Sequence, residues 1–239
     1  VTLELQGKID RVDGCRKGTE LYLKVVDYKT GSKVFSITDV WNGLNMQLLV
    51  YLFAALENGL SRYRRKLSEE ISAVRPAGAL YVPAAEPRVD GVRGAAAEDA
   101  RKTRQKARRR SGIVLGETDM LDALEHGAAE QGGTYLPVRV TSKGIAADSQ
   151  LASAGELERL TGHAAKKLQE MARRLTEGEV QADPYTDGSF TYCDWCPYRA
   201  SCQFDEKFGT DSPRRLEHNK DFYKEGGSET DGAVDEGTV

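Results

Sequence analysis

Residues 24–31 read KVVDYKTG. The β-branched pair Val25–Val26 suits a buried strand, yet Asp27 and Lys29 follow at its tip. Strand side chains alternate between faces, so Asp27 and Lys29 point one way and Tyr28 the other. A charge carried toward the interior is costly unless it is paired or holds a metal. Taken alone, the Asp-x-Lys triplet fits a salt-bridged strand end. Its neighbours decide what it is for.

Upstream, VTLELQGKIDRVD alternates in the same way. Residues 2–13 and 20–28 are expected to be two strands, joined by a turn that uses Gly14 and Gly18. In the first strand Gln6, Lys8 and Asp10 share one face. A hairpin closed over residues 14–19 brings Asp10 within a few residues of Asp27. Asp13 alternates away from Asp10 and suits a structural pair with a nearby cation. Downstream, residues 44–58 (LNMQLLVYLFAALEN) read as an apolar helix stopped by Gly59, with Leu48, Leu52, Ala55 and Leu56 as its core face. Gln47 and Tyr51 lie four apart on one side of it. Residues 78–82 (GALYV) and 136–141 (LPVRVT) read as further strands. Ser153 and Glu156 form a capping box ahead of a helix that runs to Gly178 with Leu157, Leu160, Ala164, Leu168, Met171 and Leu175 on one face. This order of elements points to an α/β domain, a mixed sheet flanked by helices.

The net charge of −3 excludes a general polycation but leaves room for a local basic groove. RKTRQKARRR, residues 101–110, supplies such a patch; it fits a solvated helix and a phosphate contact zone equally. No apolar run approaches the roughly 18–20 residues of a membrane helix, and no G-x-x-x-x-G-K-[ST] loop occurs. The chain begins on Val1 within an alternating stretch, which suggests a piece of a longer, intracellular polypeptide.

Asp10, Asp27 and Lys29 have a specific joint use. Mg²⁺ takes oxygen ligands, commonly one or two carboxylates with substrate phosphate, and an ammonium beside it can orient water and offset phosphate charge. The Tyr28 carbonyl is a further candidate ligand. Three scattered charges on a surface hairpin is the plain alternative. Near the other end, Cys193, Cys196 and Cys202 follow the pattern C-x2-C-x5-C. Thiolates so spaced suit Zn²⁺ or an iron–sulfur cluster, and their chemistry alone leaves both open.

GKIDRVD, VVDYKTG and QLLVY together resemble the RecB-type branch of the PD-(D/E)XK nucleases. GALYV, PVRVT and ADPY followed by CDWCPYRASCQF extend the likeness to the iron–sulfur nuclease domains that end AddB-type subunits of bacterial helicase–nucleases. The resemblance implies a restriction-endonuclease-like fold. Asp10 and Asp27 would hold Mg²⁺, Lys29 would be the catalytic lysine, and Gln47 and Tyr51 would orient the lysine, water or DNA. It also implies a [4Fe–4S] cluster on Cys193, Cys196 and Cys202. The family's fourth cysteine lies upstream of the nuclease strands, whereas Cys15 sits in the hairpin turn. Implied too are an exonuclease acting on single-stranded DNA from a duplex end, cutting of the 5′-ended strand in double-strand break repair, and a heterodimer with AddA, the helicase–nuclease partner. The expected layout is a nuclease domain over residues 1–205, a charged insertion at 86–135, the cysteine cluster at 190–204, and a polar, disordered tail at 206–239. A free-standing RecB-type exonuclease of CRISPR adaptation and a non-cutting DNA-binding scaffold are the two rivals.

Overall fold

The computed structural model describes residues 3–31, 33–67, 70–85, 97–188, 191–205, 211–224 and 226. Strands β1 (Arg11–Lys17) and β2 (Glu20–Lys29) form an antiparallel hairpin. Its two-residue turn starts at Gly18, whose φ of +61° is the left-handed conformation that glycine adopts without strain. The first strand is shorter than its alternation suggests. The ladder ends at Arg11 opposite Val26, and residues 3–9 have no strand partner to hold them in a sheet.

Helix α1 (Ile37–Trp41) is capped by the Ser36 hydroxyl, which accepts from the Asp39 N–H at 3.1 Å. Helix α2 (Gln47–Glu57) buries Leu48, Leu49 and Leu52. Gly59 opens a further helix, α3 (Gly59–Leu67), instead of simply ending α2. Strand β3 (Ala73–Pro83) is longer than GALYV and lies parallel to β2, with a register shift beside Leu23 and Pro76 that accommodates the missing proline N–H. After helix α4 (Ala97–Ala107) comes β4 (Ser111–Leu115), antiparallel to β3. Gly112 is obligatory there, because a Cβ would lie 2.0 Å from the Ala79 carbonyl oxygen. Gly112→Ala would force the two strands apart.

Short helices α5 (Thr118–Leu124) and α6 (Ala128–Gln131) follow. Next come a hairpin of β5 (Val140–Thr141) with β6 (Gly144–Ile145), and then β7 (Leu151–Ala152), parallel to β4. Only Val140 and Thr141 of the expected 136–141 strand pair; Leu136 and Val138 are buried outside any ladder. The result is a mixed five-stranded sheet in the order β1-β2-β3-β4-β7. Helix α7 (Ala154–Thr176) starts at the capping box on Ser153 and Glu156. Its face is buried at Leu157, Leu160 and Ala164 but reaches solvent at Met171 and Leu175.

The sheet has two different faces. On one, α2 and α7 cover Val25, Ala79, Tyr81, Ile113 and Leu115. On the other, α5, α6 and the following loop cover Leu80 and Val114 with Leu121, Ala128, Leu136 and Val138. The stretch 86–135 is therefore more than an inserted charged loop: β4, an interior strand of the sheet, lies within it, as do α5 and α6. Residues 86–96 of that stretch lie outside the described residues.

The expected tail also needs correcting over residues 211–224. Phe222 and Tyr223 are buried in the main core, Phe222 against the rings of Trp41 and His163, and Arg159 Nε donates to the Tyr223 carbonyl at 2.6 Å. Two aromatic side chains gain about 1.5–3 kcal/mol each from such burial, enough to order a polar segment around them. Glu217 N–H adds a bond to Asn42 Oδ1, and β8 (Tyr185–Thr186) pairs parallel with β9 (Arg214–Arg215). The acidic stretch after Gly226 lies outside the described residues.

Candidate active site

Period-two alternation puts Val25, Asp27 and Lys29 on the face covered by α2, and the ladder sets Tyr81 beside Asp27 and Pro83 beside Lys29. Asp27 is 4% exposed. Its Oδ2 lies 2.6 Å from Lys29 Nζ, but off the hydrogen-bond direction, so this buried oxygen has an ion-pair partner and no hydrogen bond. Lys29 Nζ donates to Gln47 Oε1 at 2.8 Å, and Gln47 Nε2 donates to the Tyr51 hydroxyl at 3.0 Å. The i, i+4 spacing on α2 makes that second bond possible. Tyr51 packs in turn against Gly7, where an added Cβ would stand 3.4 Å from the ring. Lysine, amide and phenol thus form one relay from strand tip to helix to the segment before β1.

Asp10 is exposed and accepts the Tyr28 backbone N–H at 2.9 Å. The N–H and C=O of a strand residue project to the same side, so the Tyr28 carbonyl faces the edge that Asp10 occupies. The next carbonyl, Lys29, turns the other way and accepts from Ala84 N–H at 2.8 Å. Asp10, Asp27 and the Tyr28 carbonyl are therefore oxygen donors at one strand end. Two carboxylates with a carbonyl fit the hard-cation preference of Mg²⁺, and the buried Asp27 oxygen without a hydrogen bond has capacity for a ligand. Among the described residues, no group of three or more His, Cys, Asp or Glu side chains gathers to hold an ion. The N-terminal turn of α2, which begins at Gln47, has no side-chain cap, leaving its N–H groups open toward an anion.

One residue of the site is not singled out by the sequence. Tyr81 is 2% exposed, its hydroxyl has no hydrogen-bond partner, and its ring lies 5.5 Å from Lys29 Nζ. Burial, assisted by the Asp27 and Asp39 carboxylates, pushes this phenol up to about 12. It stays a neutral donor beside Asp27. The available signal was a lone hydroxyl in the run GALYV.

The opposite face of the hairpin is structural. Lys24, nearly as buried as Asp27, pairs with Asp13 at 3.0 Å, and Arg11 Nε pairs with the same carboxylate at 2.6 Å. Burial pushes the Asp13 carboxyl up, but hydrogen bonds from Arg11 and Lys24 outweigh it and hold Asp13 below the usual carboxylate range. Arg11 also donates to the Tyr28 hydroxyl at 3.3 Å.

Cys193 lies in the 3₁₀ turn Tyr192–Trp195, Cys196 caps that turn, and Cys202 ends α8 (Arg199–Cys202). All three are free thiols, half-buried or exposed, among exposed Trp195 and Tyr198. Their donor chemistry suits a soft metal centre, but they do not close into a three-ligand group. Cys15 is a free, half-buried thiol of β1 paired with Tyr22 across the ladder.

Comparison with known proteins agrees with this geometry. The family model described as PD-(D/E)XK nuclease superfamily matches residues 1–203. The chain is also similar to AddB-type proteins, named as a subunit of ATP-dependent helicase/deoxyribonuclease. That of Thermoanaerobacter sp. (strain X514) is 31% identical over 208 residues, 86% of this chain and 17% of the relative. That of Clostridium acetobutylicum is 30% identical over 217 residues, 91% of this chain and 18% of the relative. That of Natranaerobius thermophilus is 32% identical over 205 residues, 85% of this chain and 17% of the relative. The chain thus spans under a fifth of the length of these relatives. With the family model covering most of its residues and the acid–acid–lysine constellation assembled at the tip of β2, the chain belongs to the PD-(D/E)XK nuclease superfamily.

Proposed function

We propose that the chain is a Mg²⁺-dependent DNA exonuclease domain working within an AddB-type helicase–deoxyribonuclease subunit. The observation that carries this reading is the strand tip. A buried carboxylate oxygen without a hydrogen bond sits against a lysine that an amide and a phenol hold in place. A fold needing only stability would not leave such an oxygen there.

Asp10 and Asp27 would hold the ion, with the Tyr28 carbonyl facing the same edge. Bound there, Mg²⁺ supplies Lewis-acid polarisation of phosphate oxygens. Lys29, fixed by Gln47, presents its ammonium protons to the attacking water and a phosphate oxygen, where they offset charge that grows in the transition state. Tyr51 keeps Gln47 in its donor–acceptor orientation, so the relay costs no reorganisation as the reaction proceeds. Tyr81, neutral and water-excluded, offers one hydroxyl hydrogen toward the Asp27 side of the site.

The named relatives support a wider setting: single-stranded DNA delivered from a duplex end by a helicase, a heterodimer with an AddA-type partner, hydrolysis of the 5′-ended strand, and double-strand break repair by recombination. The spacing of Cys193, Cys196 and Cys202 supports a [4Fe–4S] staple that takes its fourth ligand from outside that stretch. The thiols are not pre-gathered, so no step of the chemistry is routed through a cluster. Release of nucleotides from end-labelled single-stranded DNA, with Mg²⁺ and with chelator, tests the reading. Metal-dependent release supports it, and equal negligible release in both overturns it.

A further inference from the structure

The run Arg101–Arg110 carries seven basic side chains in ten residues, and the chemistry at Asp27 and Lys29 uses none of them. Its first part lies on α4, a helix with no buried residue. Where the run ends, the Arg110 N–H donates to the Tyr135 carbonyl at 2.8 Å, and its guanidinium lies 5.7 Å from the centre of the Tyr135 ring. That ring is 43% exposed.

Two clefts meet at this point. One is lined by Arg101, Arg104, Arg108 and Tyr135. The other is lined by Arg108, Arg110 and Tyr135 together with Val82, Pro83 and Ala84 of the β3 end. Sharing Arg108 and Tyr135, they form one groove. Its inner end is the place where Pro83 pairs with Lys29 and Ala84 N–H bonds the Lys29 carbonyl. The groove therefore opens one strand away from the candidate active site. On its far side, past Arg110, Arg139 is neutralised by Asp148 at 2.7 Å, so the positive track ends there.

A row of guanidinium groups at a groove wall, with an exposed ring among them, matches a single strand of nucleic acid. Phosphates are neutralised by arginines, and bases stack on aromatic or guanidinium planes. An acidic peptide would satisfy the arginines but leave the ring without a use. We infer that this groove holds the single-stranded flank of the DNA whose scissile phosphate lies at Asp27 and Lys29, with phosphates against Arg101 and Arg104 and a base on Tyr135. The inference rests on the nuclease reading above and adds the path of its substrate.

The test is fluorescence anisotropy of labelled dT20 with the full chain in EDTA, across a salt series. Arg101→Glu/Arg104→Glu should weaken binding by at least about tenfold and lower the slope of log K against log salt by about 1.4, at about 0.7 per phosphate contact. Tyr135→Ala should weaken binding by about tenfold with the slope unchanged, and Tyr135→Phe should restore it. All three side chains face solvent, and circular dichroism confirms the fold of each variant. Unchanged affinity and slope in the double variant, failure of Tyr135→Phe to restore binding, or displacement of the oligonucleotide by polyglutamate of equal charge at equal concentration would overturn the inference. Cleavage with Mg²⁺ is read separately. Binding lost as expected in a chain that never cleaves keeps the groove and sinks the nuclease reading; cleavage by a chain whose variants bind normally does the reverse.

Discussion

Replacing Lys29 with alanine should cost both rate and stability, and a second substitution should separate the two. Asp27 is 4% exposed, and its Oδ2 has the Lys29 ammonium at 2.6 Å and no hydrogen bond. Stripping one partner from a fully buried ion pair costs about 3–5 kcal/mol, because the other charge is stranded. The Lys29 side chain is 28% exposed and the strand tip opens to solvent, so water screens part of that loss. The discounted cost is about 2 kcal/mol. In a domain of this size it lowers Tm by about 4–8 °C. Adding Asp27→Asn removes the stranded charge and should recover at least half of the lost Tm, at no gain in rate. Losing one preorganised electrostatic donor costs about 10²–10³ in rate, and both variants should stay that slow. Thermal melts by circular dichroism in EDTA, run beside a cleavage assay with Mg²⁺, read both quantities. A single variant that melts with the parent, or a double variant that melts no higher than the single, would refute a stability role for this pair.

Gln47→Ala removes the 2.8 Å acceptor of Lys29 but leaves its charge. It should slow cleavage by about tenfold, with little change in Tm, since the amide is exposed; an unchanged rate would mean that Lys29 needs no such support. Tyr81→Phe deletes a buried hydroxyl that has no partner, so the folded chain should be as stable or slightly more stable while cleavage slows. A clear fall in Tm would show that the hydroxyl is structural. Asp13 titrates below its unfolded value of about 3.9, so its pairs stabilise the fold above about pH 4 and are lost as pH falls through the lower, folded value. Asp13→Asn should therefore lower stability at neutral pH and flatten its decline below pH 4 in urea titrations; parallel curves for parent and variant would contradict the pairing. Cys196→Ser should abolish iron incorporation and lower Tm together if a cluster staples the domain. Iron retained at the parental level would remove Cys196 from the ligand set.

The site was more legible than the fold's edges, for physical reasons. Asp27 and Lys29 share a face because of period-two alternation, and a hairpin closed near Gly18 carries Asp10 back beside Tyr28. Those are local rules, readable from one chain. Tyr81 escaped notice because its value comes from parallel pairing with β2, a contact between distant segments. Strand β4 was hidden for a different reason. Its apolar part is only Ile113, Val114 and Leu115, preceded by arginines, and burial on both faces of the sheet gives it no alternation to detect. Residues 3–9 err in the opposite direction: they alternate like a strand, but a strand needs a partner, and β2 has none left beyond Val26. Phe222 and Tyr223 sit among charged residues, where composition argues for solvation, and only the cavity beside Trp41 and His163 explains their burial.

The most direct measurement is release of nucleotides from end-labelled single-stranded DNA by the parent chain and by Asp27→Asn, each with Mg²⁺ and with EDTA. Asp27→Asn keeps the shape of the buried side chain and removes the charge that an ion requires. The expected result is release by the parent with Mg²⁺ alone, and a drop of at least about 10²-fold in the variant. Release that persists in EDTA, or an Asp27→Asn chain that cuts as fast as its parent, would contradict a metal-dependent nuclease centred on the strand tip.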